Sequence, residues 1–231
     1  MRLLVFTLTV GEEIIFEAFD ALRATTPVEY DIKVWYDTCG RGIKEPFLKR
    51  LLEYTPDVIL SYRDQGLGNV EGWMTLYACR NYDAVFFVPP DGIMQPGWWD
   101  KFQDVVKGMP KWGMIGDLWR DVPFTYDKLV NDYAFCPDGT LMINREAIDA
   151  SGGTSPSFQG RGPVHFELCR RLHANGYGFV SVHGWSIHGG EKHAGRDMDP
   201  RWREDLHRDN LVWLRTTYKE NKHYNWWSAQ N

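Results

Sequence analysis

The sequence has little cysteine, and none of it is paired. Cys39, Cys79, Cys136 and Cys169 are widely spaced and make no CxxC motif. That excludes a zinc ribbon and implies no disulfide framework; buried free thiols in a reducing cytoplasm are expected. Long apolar runs are also missing. No stretch approaches the roughly 20 apolar residues that cross a bilayer, so no membrane span is expected. The opening MRLLVFTLTV lacks a small-residue cleavage site and turns acidic at Glu12 and Glu13. It reads as a first strand, not a signal peptide, and a cytoplasmic location follows as the expectation. There is no excess of positive charge. Lys and Arg number 26 against 31 Asp and Glu, a net charge of −5. A protein built mainly to coat nucleic acid or an anionic membrane is thereby excluded. No internal repeat appears, and no linker demands two independent domains.

Hydrophobic residues are plentiful, at 43%, enough to bury a core. The 231 residues suit one α/β domain spanning 1–231. Aromatics reach 15%. They suit either a bulky core or stacking platforms for sugars or bases.

The first 90 or so residues alternate between strand and helix patterns. Leu3 to Val10 is an apolar strand bounded by Gly11. Glu12 to Thr25 has helical spacing, with Glu12 and Glu13 expected in its first turn. Tyr30 to Tyr36 is a strand, Glu45 to Tyr54 a helix, and Val58 to Tyr62 a strand. Asn69 to Asn81 is helical, and Ala84 to Val88 is a strand. Such alternation predicts a mostly parallel, three-layer sheet. Ligands of open sheets bind at the carboxyl ends of the strands. Here those ends carry Thr7, Thr9, Asp37, Arg63 and the run from Pro89 to Gly92.

Further on, Pro96 to Lys107 reads as a helix and Trp112 to Leu118 as a strand. Gly139 to Asn144 is a strand, and Arg145 to Ala150 a short helix. The Gly- and Ser-rich stretch from Ser151 to Gly162 reads as a mobile loop. Val164 to Asn175 follows as a helix with Phe166, Leu168, Cys169 and Leu172 inward. Gly178 to Val182 is a strand leading towards Ser186, Ile187 and His188. The tail from Lys192 reads as one or two helices packed on the domain.

Two segments carry candidate chemistry. In DAVFFVPPDGIMQPGWW a buried strand runs into Asp91, which faces the ligand crevice as a hard-oxygen ligand for Mg²⁺ or Mn²⁺. The bland reading is a turn-forming Asp before Gly. In HGWSIHGGEKH, His188 precedes two glycines that allow close approach; the bland reading is a satisfied surface histidine. A zinc cluster of His183, His188 and His193 is the weaker alternative. On one continuous strand His183 and His188 would point to opposite faces.

In order and spacing these pieces resemble the GT-A glycosyltransferases, within them the large family-two group of inverting enzymes. The matching pieces are Asp37, Asp64-Gln65-Gly66, Pro89-Pro90-Asp91 and Pro96-Gly97-Trp98. They continue with Gly139 to Arg145, Arg171-Leu172, Asn175-Gly176-Tyr177 and His188. The resemblance covers about residues 1–190. It implies a GT-A fold with a nucleotide-binding half over 1–92, an acceptor and catalytic half over 93–190, and a C-terminal helical tail over 191–231.

The resemblance also implies a metal-dependent, inverting transferase that uses a nucleotide sugar, a UDP-sugar first. Thr7, Thr9, Asp37, Arg63, Asn69, Pro89, Pro90 and Asp91 would line the donor site. Asp91 and His188 would hold Mn²⁺ or Mg²⁺. Two departures stand out. Pro89 occupies the position of the first Asp in the family's Asp-x-Asp motif. Val164 and His165 replace the Glu-Asp pair that supplies the catalytic base. His165, of unperturbed pKa near about 6.5, and Glu167 are the candidate bases. The Gly- and Ser-rich loop could close over the donor. The acceptor is a glycan, a small molecule or a nucleic-acid base, with the tail's Trp and Arg residues as one possible contact. A nucleotidyltransferase and a non-catalytic GT-A domain that binds a glycan or partner are the competing readings.

Overall fold

The computed structural model describes residues 1–38, 40–62, 80–117, 139–153, 164–182 and 184–188, the side chains of Val164 and Phe166 excepted. The expected helix over 69–81 lies almost wholly outside the described residues, as do Arg63, Asn69, His183, His193, most of the Gly- and Ser-rich loop and the tail.

In chain order the elements are β1 (Leu3–Thr9), α1 (Ile15–Thr25), β2 (Tyr30–Asp37), α2 (Glu45–Tyr54), β3 (Val58–Ser61), β4 (Ala84–Phe87) and β5 (Gly92–Met94). They continue with α3 (Trp98–Gly108), β6 (Trp112–Asp117), β7 (Leu141–Asn144), α4 (Arg145–Ser151), α5 (Val164–Ala174), β8 (Gly178–Val182) and β9 (Ser186–His188). Seven strands form one sheet in the order β3-β2-β1-β4-β7-β6-β8, and β5 pairs with β9 in a separate ribbon. β7 is antiparallel to both its neighbours, and the other pairs in the large sheet are parallel. The mostly parallel sheet expected from the alternation is therefore present, with one reversed strand.

β1 explains the layering. Its side chains alternate faces. Leu3 and Val5 join one buried cluster with Phe16 and Phe19 of α1, Phe47 of α2, and Trp98 and Phe102 of α3. Leu4 and Phe6 join the opposite cluster with Ala147 and Ile148 of α4 and Leu168, Cys169 and Leu172 of α5. Burial on both faces is why the strand reads as a continuous apolar run. At roughly 1.5–3 kcal/mol for each large side chain buried, these clusters drive the assembly.

Part of the aromatic excess is core. Trp98 stacks on Phe86 at 4.8 Å between centroids and lies 5.7 Å from Trp185. Both tryptophans are fully buried. These rings pack the interior and do not serve as platforms for a ligand.

Two boundaries differ from expectation in an informative way. The first helix begins at Ile15, not at Glu12, and its first-turn acid is Glu17. Glu12 stays outside because its carboxylate accepts the Thr9 hydroxyl at 2.7 Å and the Val10 N–H at 3.0 Å. That side chain ties down the β1–α1 turn instead of the helix dipole. Second, β8 and β9 are separate strands with Gly184 at φ +67° between them. His183 itself lies outside the described residues, so only His188 of that histidine pair is placed.

Candidate metal and donor site

Three strands of the large sheet end in or just before buried acids. β2 ends at Asp37 and β6 at Asp117, and Asp91 follows β4 after a Pro-Pro turn. β7 runs the other way, so its start lies at the same edge of the sheet. Thr140, just before β7, accepts the Asp117 N–H with its carbonyl at 3.0 Å.

The turn after β4 is closed by the Gly92 N–H donating to the Pro89 carbonyl at 2.9 Å. It delivers Asp91 directly into β5. β5 pairs antiparallel with β9, with Gly92 opposite His188, Ile93 opposite Ile187 and Met94 opposite Ser186. This register brings Asp91 and His188 together. Asp91 Oδ1 stands 3.7 Å from His188 Nδ1, the side chains 4% and 16% exposed respectively. Close packing is part of the geometry. A Cβ on Gly92 would lie 2.9 Å from Thr140 Cγ2 and 3.0 Å from Pro89 Cδ.

Behind His188 lies a polar network. Asp117 Oδ2 accepts both the N–H and the hydroxyl of Ser186, at 2.9 and 2.6 Å. The Ser186 hydroxyl also lies 3.0 Å from Thr140 Oγ1 and 3.3 Å from His188 Nε2. Ser186 and His188 are two apart on β9 and share a face, while Ile187 points away and is 57% exposed. Asp117 and Ser186 were not singled out in the sequence. The available signal was an apolar strand, WGMIGD, ending in an acid as β2 does.

The remaining candidates fall in different places. Thr7 Oγ1 donates to the Val88 carbonyl at 2.7 Å and so fastens β1 to the start of the Pro-Pro turn. The Thr9 hydroxyl donates to Glu12 and accepts the Gly11 N–H at 3.0 Å. Both threonines are buried, and both are engaged in shaping the loops around the crevice. Lys44 adds a cation that the sequence reading did not anticipate. Its Nζ donates to the Gly11 carbonyl at 3.2 Å, and its N–H donates to Tyr36 Oη at 3.1 Å. His165 is buried in the first turn of α5. Glu167, 2% exposed, accepts Arg171 Nη2 at 2.7 Å, and Arg171 Nη1 donates to the Ser151 carbonyl at 2.7 Å. That pair joins α5 to the end of α4.

Asp91 and His188 have the donor chemistry to hold a divalent cation. Two ligand atoms each about 2.1 Å from one ion lie about 3.0 Å apart when adjacent and about 4.2 Å apart when opposite. The observed 3.7 Å is longer than the adjacent spacing, so the two side chains would draw together by about 0.7 Å on binding one ion. Carboxylate oxygen with imidazole nitrogen suits Mn²⁺ as well as zinc. Among the described residues no group of three or more His, Cys, Asp or Glu side chains gathers to hold a metal. Among the described residues, no helix is long and apolar enough to cross a membrane.

No family model and no curated protein matches the sequence. Solved structures match the fold. A mannosyltransferase from Pyrobaculum calidifontis, solved with GDP-Man and Mn²⁺, aligns at TM-score 0.61 and 15% identity over 79% of this chain and 55% of its own. S. aureus TarS residues 1–349 with UDP-GlcNAc aligns at TM-score 0.57 and 12% identity, over 79% of this chain and 56% of its own. GalNAc-T7 with UDP, GalNAc and Mn²⁺ aligns at 0.61 and 16%, over 78% and 41%. This chain thus spans about half the length of the solved chains it matches. Its mixed α/β sheet, with the Asp91–His188 pair at the carboxyl edge, has the GT-A glycosyltransferase fold.

Proposed function

We propose that this chain is a metal-dependent glycosyltransferase that moves a sugar from a nucleotide-sugar donor, a UDP-sugar first, to an acceptor hydroxyl. One observation carries the reading: Asp91 and His188, distant in sequence, meet at 3.7 Å at the ligand-binding edge of the sheet. Structures of the same fold hold GDP-Man, UDP-GlcNAc or UDP, two of them with Mn²⁺.

In this reading Asp91 and His188 hold Mn²⁺ or Mg²⁺, which neutralises the leaving diphosphate by Lewis-acid charge stabilisation when bound. Asp37, Pro89 and Pro90, together with Arg63 and Asn69 of the segment outside the described residues, are assigned to the nucleotide-sugar donor on the family resemblance. Thr7 and Thr9 act by holding the β1 and Pro-Pro loops in place. His165 accepts the proton of the acceptor hydroxyl, consistent with inversion. Glu167 is the other candidate base, and its carboxylate is paired with Arg171.

A non-catalytic domain that binds a nucleotide or glycan is the second reading, favoured by Pro89 in place of an acid and by that same ion pair. Incubation with a panel of nucleotide sugars and Mn²⁺ separates the two. Release of free nucleoside diphosphate from one of them supports the enzyme. Mn²⁺-dependent binding without release supports the second reading, and neither binding nor release contradicts both.

A further inference from the structure

The Ser186 hydroxyl has more neighbours than protons, and this fixes where the protons lie. Asp117 Oδ2 already accepts the Ser186 N–H at 2.9 Å, so that oxygen presents lone pairs. The 2.6 Å contact from Ser186 Oγ to the same oxygen therefore carries the serine's own proton. With its hydrogen directed at Asp117, Ser186 Oγ can only accept from its other two neighbours. Thr140 Oγ1 at 3.0 Å must donate, and so must His188 Nε2 at 3.3 Å. A neutral imidazole that carries its hydrogen on Nε2 has its lone pair on Nδ1. Nδ1 is the atom that faces Asp91 Oδ1 at 3.7 Å, beyond hydrogen-bond reach.

We propose that Asp117, acting through Ser186, is a positioning residue that holds His188 in the Nε2–H form, with Nδ1 aimed at the space shared with Asp91. The consequence for cation binding rests on the reading given above; the tautomer does not. Two lone-pair atoms facing each other repel, and a cation between them turns the repulsion into coordination. Partners behind a ligating histidine typically alter metal affinity by about 10–100-fold when removed. Thr140 only donates into the network, so it is not needed to set the tautomer.

The test is nitrogen-15 NMR of the imidazoles in the metal-free protein, with His188 assigned from its absence in His188→Gln. The wild type is expected to show a protonated Nε2 and a pyridine-type Nδ1 at His188. Ser186→Ala and Asp117→Asn are expected to shift the population towards the other tautomer, and Thr140→Val to leave it unchanged. In parallel, Mn²⁺ binding followed by electron paramagnetic resonance is expected to weaken about 10–100-fold in Ser186→Ala. An Nδ1–H tautomer in the wild type, or an unaltered tautomer in both Ser186→Ala and Asp117→Asn, overturns the proposal. A wild type with the expected tautomer but no Mn²⁺ binding contradicts the metal reading and leaves the tautomer assignment intact.

Discussion

Gly92 and His188 face one another across the β5–β9 ribbon, and this pairing brings two remote segments together, with Asp91 beside His188. Gly92 sits there without a side chain because Thr140 and Pro89 fill the space where a Cβ would go. The glycine next to Asp91 is thus a packing requirement as much as a turn signal.

Gly92→Ala is expected to destabilise the fold by about 1–3 kcal/mol, since the added methyl meets a buried threonine methyl and a rigid proline ring. It should also weaken Mn²⁺ binding by displacing β5 against β9. Chemical denaturation measures the first effect, and Mn²⁺ titration the second. Wild-type stability would mean that the ribbon is looser than its register implies.

His165→Asn is expected to lower turnover by about 10²–10⁴-fold if His165 is the base, while Mn²⁺ and nucleotide binding stay intact. Glu167→Gln should instead be felt chiefly in stability, because it removes the negative charge from a part-buried ion pair with Arg171 while keeping an acceptor oxygen. Turnover assays set against urea denaturation distinguish the two. A Glu167→Gln variant that folds normally but is inactive would exchange their roles.

Tyr82 provides a pH signature far from the site. Burial first, then its hydrogen bond to Asp31 at 2.9 Å, pushes the phenol up to about 12 from 10.0. A raised acid favours the folded state while it keeps its proton. The contribution is therefore complete below about pH 10 and is lost as the pH rises through about 12. Wild type should lose stability more steeply than Tyr82→Phe between those values, by denaturant midpoint. Tyr82 neighbours Arg2 and Asp31 near the amino ends of β1 and β2. Mn²⁺ binding should therefore be unchanged in Tyr82→Phe.

Much of the fold was legible because burial on both faces leaves an unambiguous mark. β1, β2 and β4 read as apolar runs, and α2 was placed at its observed bounds, with a proline in its first turn. Asp91 was legible because a turn signal follows a buried strand. The β5–β9 ribbon was not legible. Each of its strands has three residues, too few to establish a period, and their pairing joins residues as far apart as Gly92 and His188. The reversed direction of β7 left no trace either, since LMIN is as apolar as a parallel strand. Asp117 was missed because an acid ending a strand looks like the start of a loop until Ser186 is seen against it. Glu12 misled in the opposite direction: an acid before a helical pattern suggests a helix start, yet its carboxylate closes the preceding turn.

Mn²⁺ titration of the wild type, Asp91→Ala and His188→Ala, each with and without UDP or GDP, tests the central claim most directly. Electron paramagnetic resonance reports bound ion without requiring an acceptor. The wild type is expected to bind Mn²⁺ more tightly with the nucleoside diphosphate than without it, and each variant to lose that binding while remaining folded. Either variant binding Mn²⁺ as the wild type does would contradict the assignment of Asp91 and His188 as the metal ligands.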